Sequence, residues 1–290
     1  MKNWSAYRLA RNIRHLPGLR RLDWLWDGLR PIFRRAINTD GSGVPIVIGG
    51  HCAARLPPEF CGGDWHLYEA EVIGALTTFL RREPQSLVLD IGCAIGIVSA
   101  AALFASPQCE VIAFDADLAS LQATRRMTAY APGDRLNVVH GFLAEEHHSE
   151  EDLDGAVRTT RQRLENSSVT GDPGTTSYRC LDETQPADIP VHSLDGLWRT
   201  RSEFWMPGRP VLIKCDVEGA ELRVLMGAQQ FLAERRPALL LSVHPPALLP
   251  YGHCCDDVRA FLADAGYEIT VLAIDHEEHW SCVPRSDLAE

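Results

Sequence analysis

The feature that most constrains the fold is a series of apolar runs separated by segments with helical periodicity. The runs lie at Leu87–Ile91, Glu110–Phe114, Leu136–Val139, Pro210–Cys215, Ala238–Val243 and Glu268–Ile274. This alternation predicts an α/β protein with a mostly parallel sheet and helices on both faces. In such a sheet, ligands bind beyond the carboxyl ends of the strands. We therefore expect the chemically important residues where each strand ends.

The charge is divided unevenly along the chain. Its 28 Lys and Arg against 39 Asp and Glu give a net charge of −11, yet residues 1–36 hold nine basic and two acidic residues. The acidic remainder excludes general binding to nucleic acid, because that affinity comes largely from neutralising phosphates. We predict a basic amphipathic helical extension over residues 1–40 and one α/β domain over residues 41–290.

Two interpretations of residues 1–36 stay open. Apolar residues and tryptophans recur there at helical spacing opposite many arginines, a pattern typical of a helix lying on anionic lipid. The same pattern fits helices that pack on the main domain or on a second subunit. The sequence does not predict the oligomeric state.

The compartment follows from the cysteines and from the start of the chain. The nine cysteines are scattered without any CxxC pair, which favours a reducing cytosol. Arg8, Arg11 and Arg14 interrupt the region where a signal peptide needs an apolar stretch. The apolar window Leu87–Ala105 is better explained as strand, turn and helix than as a membrane span. We predict a cytoplasmic protein, peripheral at the inner face of a membrane under the lipid interpretation.

The first long strand ends in VLDIGCAIG, Val88–Gly96, and the second ends at Asp115, nineteen residues beyond Gly96. Glycines let the backbone approach a ligand, and an acid at this separation accepts hydrogen bonds from a ribose. The three-glycine fingerprint of dinucleotide-binding proteins is incomplete. These residues favour an adenosyl ligand with an amino-acid tail, whereas Asp117 is expected to cap the following helix.

Several motifs resemble the FkbM family of S-adenosylmethionine-dependent methyltransferases, with the class I, Rossmann-like fold. The most specific is IKCDVEGAE at Ile213–Glu221. Further matches are VLDIGCAIG, AFDAD at Ala113–Asp117, VHSLDGL at Val191–Leu197, RPALLLSVHP at Arg236–Pro245 and the pair Tyr68-Glu69. The likeness spans about residues 64–274. Two positions depart from the family pattern: Ala94 stands where Asn is usual, and Ser242 where Glu is usual.

The resemblance implies S-adenosyl-L-methionine as the cofactor. Its methionine part is expected at Asp90, Gly92, Cys93 and Gly96, with its ribose at Asp115. The adenine is expected near Phe142 and Leu143, where Phe142 either stacks on the ring or packs in the core.

The acceptor implied by the family is a hydroxyl of a sugar, glycolipid or natural product. Such a hydroxyl needs a base as it attacks the methyl group. Asp216 and Glu218 follow one strand and His244 ends the next, so these three are the predicted catalytic residues, with His244 as the base. Glu221 is expected to be a first-turn helix acid, and Lys214 receives no role.

Two further features carry open predictions. The polar interval 144–188 is either a substrate lid or a surface excursion. His276, His279 and Cys282, with His253, Cys254 and Cys255 upstream, match no established zinc spacing, so we predict no metal site. The rival functions are a catalytically inactive cofactor-binding or scaffold protein, favoured by Ala94 and Ser242, and an NAD-dependent oxidoreductase.

Overall fold

The computed structural model describes residues 28–29, 31–32, 35–38, 40–145, 189–201 and 205–285. Its strands are β1 (Val44–Ile48), β2 (Cys52–Leu56), β3 (Leu87–Ile91), β4 (Glu110–Asp115), β5 (Leu136–His140), β6 (Phe142–Leu143), β7 (Val191–His192), β8 (Val211–Cys215), β9 (Ala238–Val243), β10 (Tyr267–Ile274) and β11 (Glu278–Pro284). Its helices are α1 (Ala70–Arg82), α2 (Ile97–Ala105), α3 (Leu118–Met127), α4 (Leu194–Thr200), α5 (Glu221–Met226), α6 (Gln229–Arg235), α7 (Pro245–Leu248) and α8 (Cys255–Asp264).

Seven strands form the central sheet, in the order β10-β11-β9-β8-β3-β4-β5. Neighbours from β9 to β5 are parallel, while β11 runs antiparallel to both β9 and β10. The chain moves outward from β3 through β4 to β5 and then returns to β8 on the other side of β3. This reversal makes the crevice between β3 and β8 the topological switch point, where such sheets bind ligands. The predicted Rossmann-like α/β fold is confirmed.

The two central strands are buried along their whole length. Side chains alternate between the faces: Leu89 packs with α5, α6 and α8, whereas Val88 packs with α1 and α2. Asp90 and Lys214 project on the same face as Val88, and they are register partners on adjacent strands. A buried aspartate and a buried lysine thus face α1 and α2 at the switch point.

The chain before the sheet forms a small antiparallel hairpin. Strands β1 and β2 pair in register from Val44 opposite Leu56 to Ile48 opposite Cys52. Helix α1 begins at Ala70, because the preceding Glu69 has a left-handed backbone with φ of 37°. Tyr68 and Glu69 therefore lie in the turn that leads into α1.

Most of the basic extension (1–27 and parts of 30–39) and most of the predicted lid (146–188) lie outside the described residues. The interpretations of both segments stay predictions. Within the described part of the chain, no helix combines the length and the apolar character needed to cross a membrane.

Strand β11 anchors the antiparallel edge through Trp280. This side chain is fully buried in the core, opposite Leu241 of β9. Its indole Nε1 donates to Glu278 Oε2 at 2.9 Å, and the Arg259 guanidinium lies 4.1 Å from the ring centroid. Trp280 thus fastens α8, β9 and β11 together.

We expect Trp280→Ala to lower the free energy of unfolding by about 3 to 5 kcal/mol, the usual cost of truncating a buried aromatic side chain. Urea titration followed by circular dichroism measures this cost. Val283→Ala, at a half-exposed position on the same strand, is the control and should cost far less. Equal costs for the two variants would contradict the anchoring role of Trp280.

Candidate active site

The glycine loop after β3 passes directly beneath the end of β8. The backbone N–H groups of Gly92 and Cys93 both donate to the Phe114 carbonyl, at 2.9 and 3.0 Å. Gly92 has a left-handed backbone with φ of 76°, and a Cβ there would collide with the carbonyl oxygen of Asp216. The loop consequently needs glycine at position 92 for two reasons, its backbone conformation and the space available.

Asp115 ends β4 beside this loop, as the sequence predicts. Its Oδ2 accepts from the backbone N–H of Ala94 at 2.9 Å, and its Oδ1 accepts from that of Asp117 at 2.8 Å. Burial, helped by the charges of Asp117 and Asp90, raises the pKa of Asp115 to about 7, although the two hydrogen bonds act to lower it. The carboxyl group is thus fixed in direction and titrates near neutrality. Asp117 caps α3 through Ala119, as expected.

Asp90 is fully buried at the end of β3. Its Oδ2 accepts from the Ser99 hydroxyl at 2.5 Å, while its Oδ1 has no hydrogen-bond partner. Burial raises the pKa of Asp90, and the nearby charge of Lys214 opposes that shift. One oxygen of a buried carboxyl group is therefore available to a donor from a ligand.

Lys214, which sequence reasoning left without a role, lies at the centre of the charged groups. Its buried Nζ donates to Asp216 Oδ2 at 2.7 Å. Burial alone would lower the pKa of Lys214, but the charges of Asp216, Glu69, Tyr68 and Asp90 raise it well above its usual value. The ammonium group thus neutralises acids contributed by β3, β8 and the start of α1.

His244 ends β9 surrounded by four carboxylates. Its Nδ1 lies 2.9 Å from Glu221 Oε1, and its Nε2 lies 2.7 Å from Glu277 Oε2, 3.6 Å from Asp216 Oδ1 and 3.9 Å from Glu218 Oε2. Burial alone would lower the pKa of His244, but Glu221, Glu277, Asp216 and Glu218 raise it to about 11. In this arrangement the imidazole holds a proton, so the base role stays a prediction. The three predicted catalytic residues do come together.

A second histidine connects this cluster to β11. His279 Nδ1 lies 3.0 Å from the Ser242 hydroxyl, and His279 Nε2 lies 3.6 Å from Glu277 Oε1. Ser242, the departure from the family pattern, thus pairs with a buried imidazole. Glu277 and His279 were missed as site residues because β11 brings them in from the end of the chain, and no local motif marks them.

The remaining predicted site residues separate into two places. Phe142 is buried in a small apolar cluster with Ala144 and Ala220, and Ala116, next to Asp115, packs against it. Leu143 points instead into the main core. Cys282 also lies in that core, whereas His276 is exposed.

The sheet order defines a Rossmann-like α/β protein, and the acid-rich crevice between β3 and β8 is its candidate ligand site. A family model described as "Methyltransferase FkbM domain" matches residues 90–269. That range is more than half of the chain, and the chain belongs to this family.

Solved structures of methyltransferases are similar to this chain at low sequence identity. The methyltransferase FkbM from Methylobacillus flagellatus KT is 19% identical, with a TM-score of 0.43 over 69% of this chain and 44% of that one. The precorrin-6y C5,15-methyltransferase from Geobacter metallireducens GS-15 is 14% identical, with a TM-score of 0.43 over 75% and 89% of the two chains. This chain therefore spans less than half of the Methylobacillus flagellatus protein.

An O-methyltransferase from Bacillus cereus in complex with SAH is 12% identical, with a TM-score of 0.41 over 73% of this chain and 80% of that one. No curated protein matches the chain.

We expect Gly92→Ala to destabilise the protein more than Gly208→Ala. Both glycines have left-handed backbones, with φ of 76° and 71°, but only position 208 has open space around a Cβ. Gly208→Ala should cost about 1 to 2 kcal/mol from backbone conformation, and Gly92→Ala about 1 to 3 kcal/mol more from overpacking. Denaturant unfolding measures both. A difference near zero would show that the glycine loop can move away from Asp216.

Proposed function

We propose that this protein is a S-adenosylmethionine-dependent methyltransferase that methylates a hydroxyl oxygen on a sugar, glycolipid or natural-product acceptor. The family match over residues 90–269 carries the proposal. The crevice between β3 and β8 supports it, because acids for the cofactor and polar groups for the acceptor meet there. A cytoplasmic location is part of the same proposal.

The residues around the glycine loop fit the cofactor. Asp90 Oδ1 is a buried oxygen without a hydrogen-bond partner, which suits the ammonium of a methionine tail. Asp115 is held by two backbone N–H groups, and its remaining acceptor capacity suits ribose hydroxyls. Gly92 and Gly96 both have left-handed backbones in which a Cβ would collide with neighbouring atoms. The apolar cluster of Phe142 adjoins Asp115 and suits an adenine ring.

When bound, S-adenosylmethionine supplies a methyl group on a sulfonium sulfur, and the S–C electron pair stays on sulfur as the acceptor oxygen takes the methyl. The protein contributes mainly alignment, which can supply roughly 7 to 11 kcal/mol. We assign Asp216, Glu218 and His244 to the acceptor side of the crevice. Their polar atoms lie within 4.8 Å of one another, so one hydroxyl oxygen can contact all three.

The acceptor proton must leave as the O–C bond forms. Glu218 is the most accessible of the three side chains, with 70% of it exposed, so it is placed to pass that proton to solvent. Asp216 is held by Lys214 and is better suited to orient the acceptor. His244 donates a hydrogen bond when protonated and accepts the proton only when neutral.

Isothermal titration calorimetry with S-adenosylmethionine, S-adenosylhomocysteine and NAD tests the proposed cofactor. We expect both adenosyl compounds to bind, and Asp115→Ala to weaken them by at least about tenfold through loss of the ribose hydrogen bonds. A cell extract incubated with methyl-labelled cofactor then identifies the acceptor. Binding of NAD alone would overturn the proposal, and cofactor binding without methyl transfer to any acceptor would favour a scaffold.

Cofactor affinity should increase with pH through the titration of Asp115. Burial raises the pKa of this carboxyl group to about 7, so it is mostly protonated at pH 6 and mostly ionised at pH 8. Ribose hydroxyls donate best to the ionised form, and the dissociation constant should therefore fall by about tenfold between these pH values.

The control for this titration is Asp115→Asn, which has no carboxyl group at that position. Asp117, Asp90 and Cys93 also face Asp115, and they remain in the variant. A pH dependence of the same size in Asp115→Asn would assign the titration to one of those groups instead.

A further inference from the structure

The acceptor side of the crevice has the composition of a metal site. One atom each from Asp216, Glu218 and His244 lies within 4.8 Å of the others. Two atoms bonded to one ion at about 2.0 to 2.2 Å lie at most about 4.4 Å apart, and His244 Nε2 lies 3.6 Å from Asp216 Oδ1 and 3.9 Å from Glu218 Oε2. These three residues come from the ends of two adjacent strands, β8 and β9, so the sheet itself sets their spacing.

The imidazole of His244 is oriented for coordination. Its Nδ1 lies 2.9 Å from Oε1 of Glu221, a fully buried carboxylate that also accepts from the Gly219 N–H at 3.0 Å. A carboxylate on one ring nitrogen is the usual partner of a metal-binding histidine, because it directs the other nitrogen towards the ion. Here Nε2 is that other nitrogen, and it faces Asp216 and Glu218.

The two carboxylate oxygens of Asp216 also have different partners. Its Oδ2 accepts from the buried Lys214 ammonium at 2.7 Å, which fixes the plane of the carboxylate. Its Oδ1 is directed towards His244 Nε2, at 3.6 Å. One oxygen of Asp216 is thus held by the protein, and the other points into the cluster.

Glu277 adds a further buried carboxylate to this cluster. Only 5% of this residue is exposed, and its Oε2 makes no hydrogen bond. Its charged contact is the ion pair with His244 Nε2 at 2.7 Å, the ring nitrogen that a metal ion would bind. A histidine that binds a metal through Nε2 carries no proton there, so this buried carboxylate would lose its cationic partner. Such a carboxylate is costly unless another positive group, here the ion, meets it.

We propose that Asp216, Glu218 and His244 bind one divalent transition-metal ion, with Glu277 beside it and Glu221 orienting the histidine. The donor set of carboxylate oxygens with one imidazole nitrogen suits Mn²⁺ or Zn²⁺, whereas Mg²⁺ and Ca²⁺ prefer oxygen ligands alone. Three protein ligands leave positions open for water or for the acceptor.

The role of the ion rests on the proposed function, but its binding does not. A cation at this place would bind the acceptor hydroxyl and lower its pKa. The hydroxyl would then lose its proton more readily, which is otherwise the task of a general base. His244 would then act as a ligand. The neighbouring group Asp275, His276 and Glu277 also brings three donors together, but Asp275 and His276 are exposed and pair with each other at 2.9 Å.

The test is metal binding by the full-length protein after treatment with EDTA, without cofactor or acceptor. Binding of Mn²⁺ reduces the electron paramagnetic resonance signal of the free ion, and Zn²⁺ should compete for the same site. We expect one site per chain, weakened at least tenfold by Glu218→Gln. This side chain is largely exposed, so the variant should fold. Glu277→Gln should also weaken binding.

Glu278→Gln is the matched control, because this adjacent carboxylate contacts Arg259 and Trp280 instead of the cluster. Its Mn²⁺ affinity should equal that of the wild type. Absence of saturable binding of either ion would overturn the proposal, as would affinity unaffected by Glu218→Gln and Glu277→Gln. Calorimetry with S-adenosylmethionine on the same metal-free samples separates failure of the metal site from failure of the cofactor site.

Discussion

The buried ammonium of Lys214 is the interaction on which the site depends. A charge inside a sheet is costly unless it is paired and hydrogen-bonded, and removing one partner of a buried pair typically costs about 3 to 5 kcal/mol. Lys214 meets this requirement with Asp216, just beyond the end of its own strand, and the charges of Glu69 and Asp90 also act on it. Compensation of one charge therefore brings together the ends of β3 and β8 and the turn before α1, the places where the cofactor and the acceptor are proposed to meet.

The central strands were predictable because burial on both faces gives them continuous apolar runs. The glycine loop and Asp115 at the end of β4 were likewise predictable, since both are local patterns beside a predicted strand. The acceptor side was only partly predictable. Glu221 has the position of a first-turn helix acid, but its contact with His244 depends on how β8 and β9 align. Glu277 lies in the turn between β10 and β11, and its position depends on the antiparallel pairing of β11.

Backbone strain is concentrated around the crevice. Among the described residues, four that are not glycine have left-handed backbones, and three of these are Glu69, Ala94 and Glu218. Each such conformation costs roughly 1 to 3 kcal/mol and persists only where the surroundings enforce it. At Ala94 the conformation presents the backbone N–H to Asp115, so the missing asparagine side chain does not remove this hydrogen bond. Interactions in the surrounding fold therefore offset the conformational cost of these left-handed residues, which orient polar groups towards the crevice.

The antiparallel insertion of β11 has a consequence for the order of events during synthesis. Domains begin to fold as the chain emerges from the ribosome, amino-terminal parts first. The glycine loop, Asp115 and Lys214 can assemble once β8 has emerged, whereas Glu277 and β11 emerge only after β10. A nascent chain can thus acquire its cofactor side well before its acceptor side, and translation of the last strand completes the crevice.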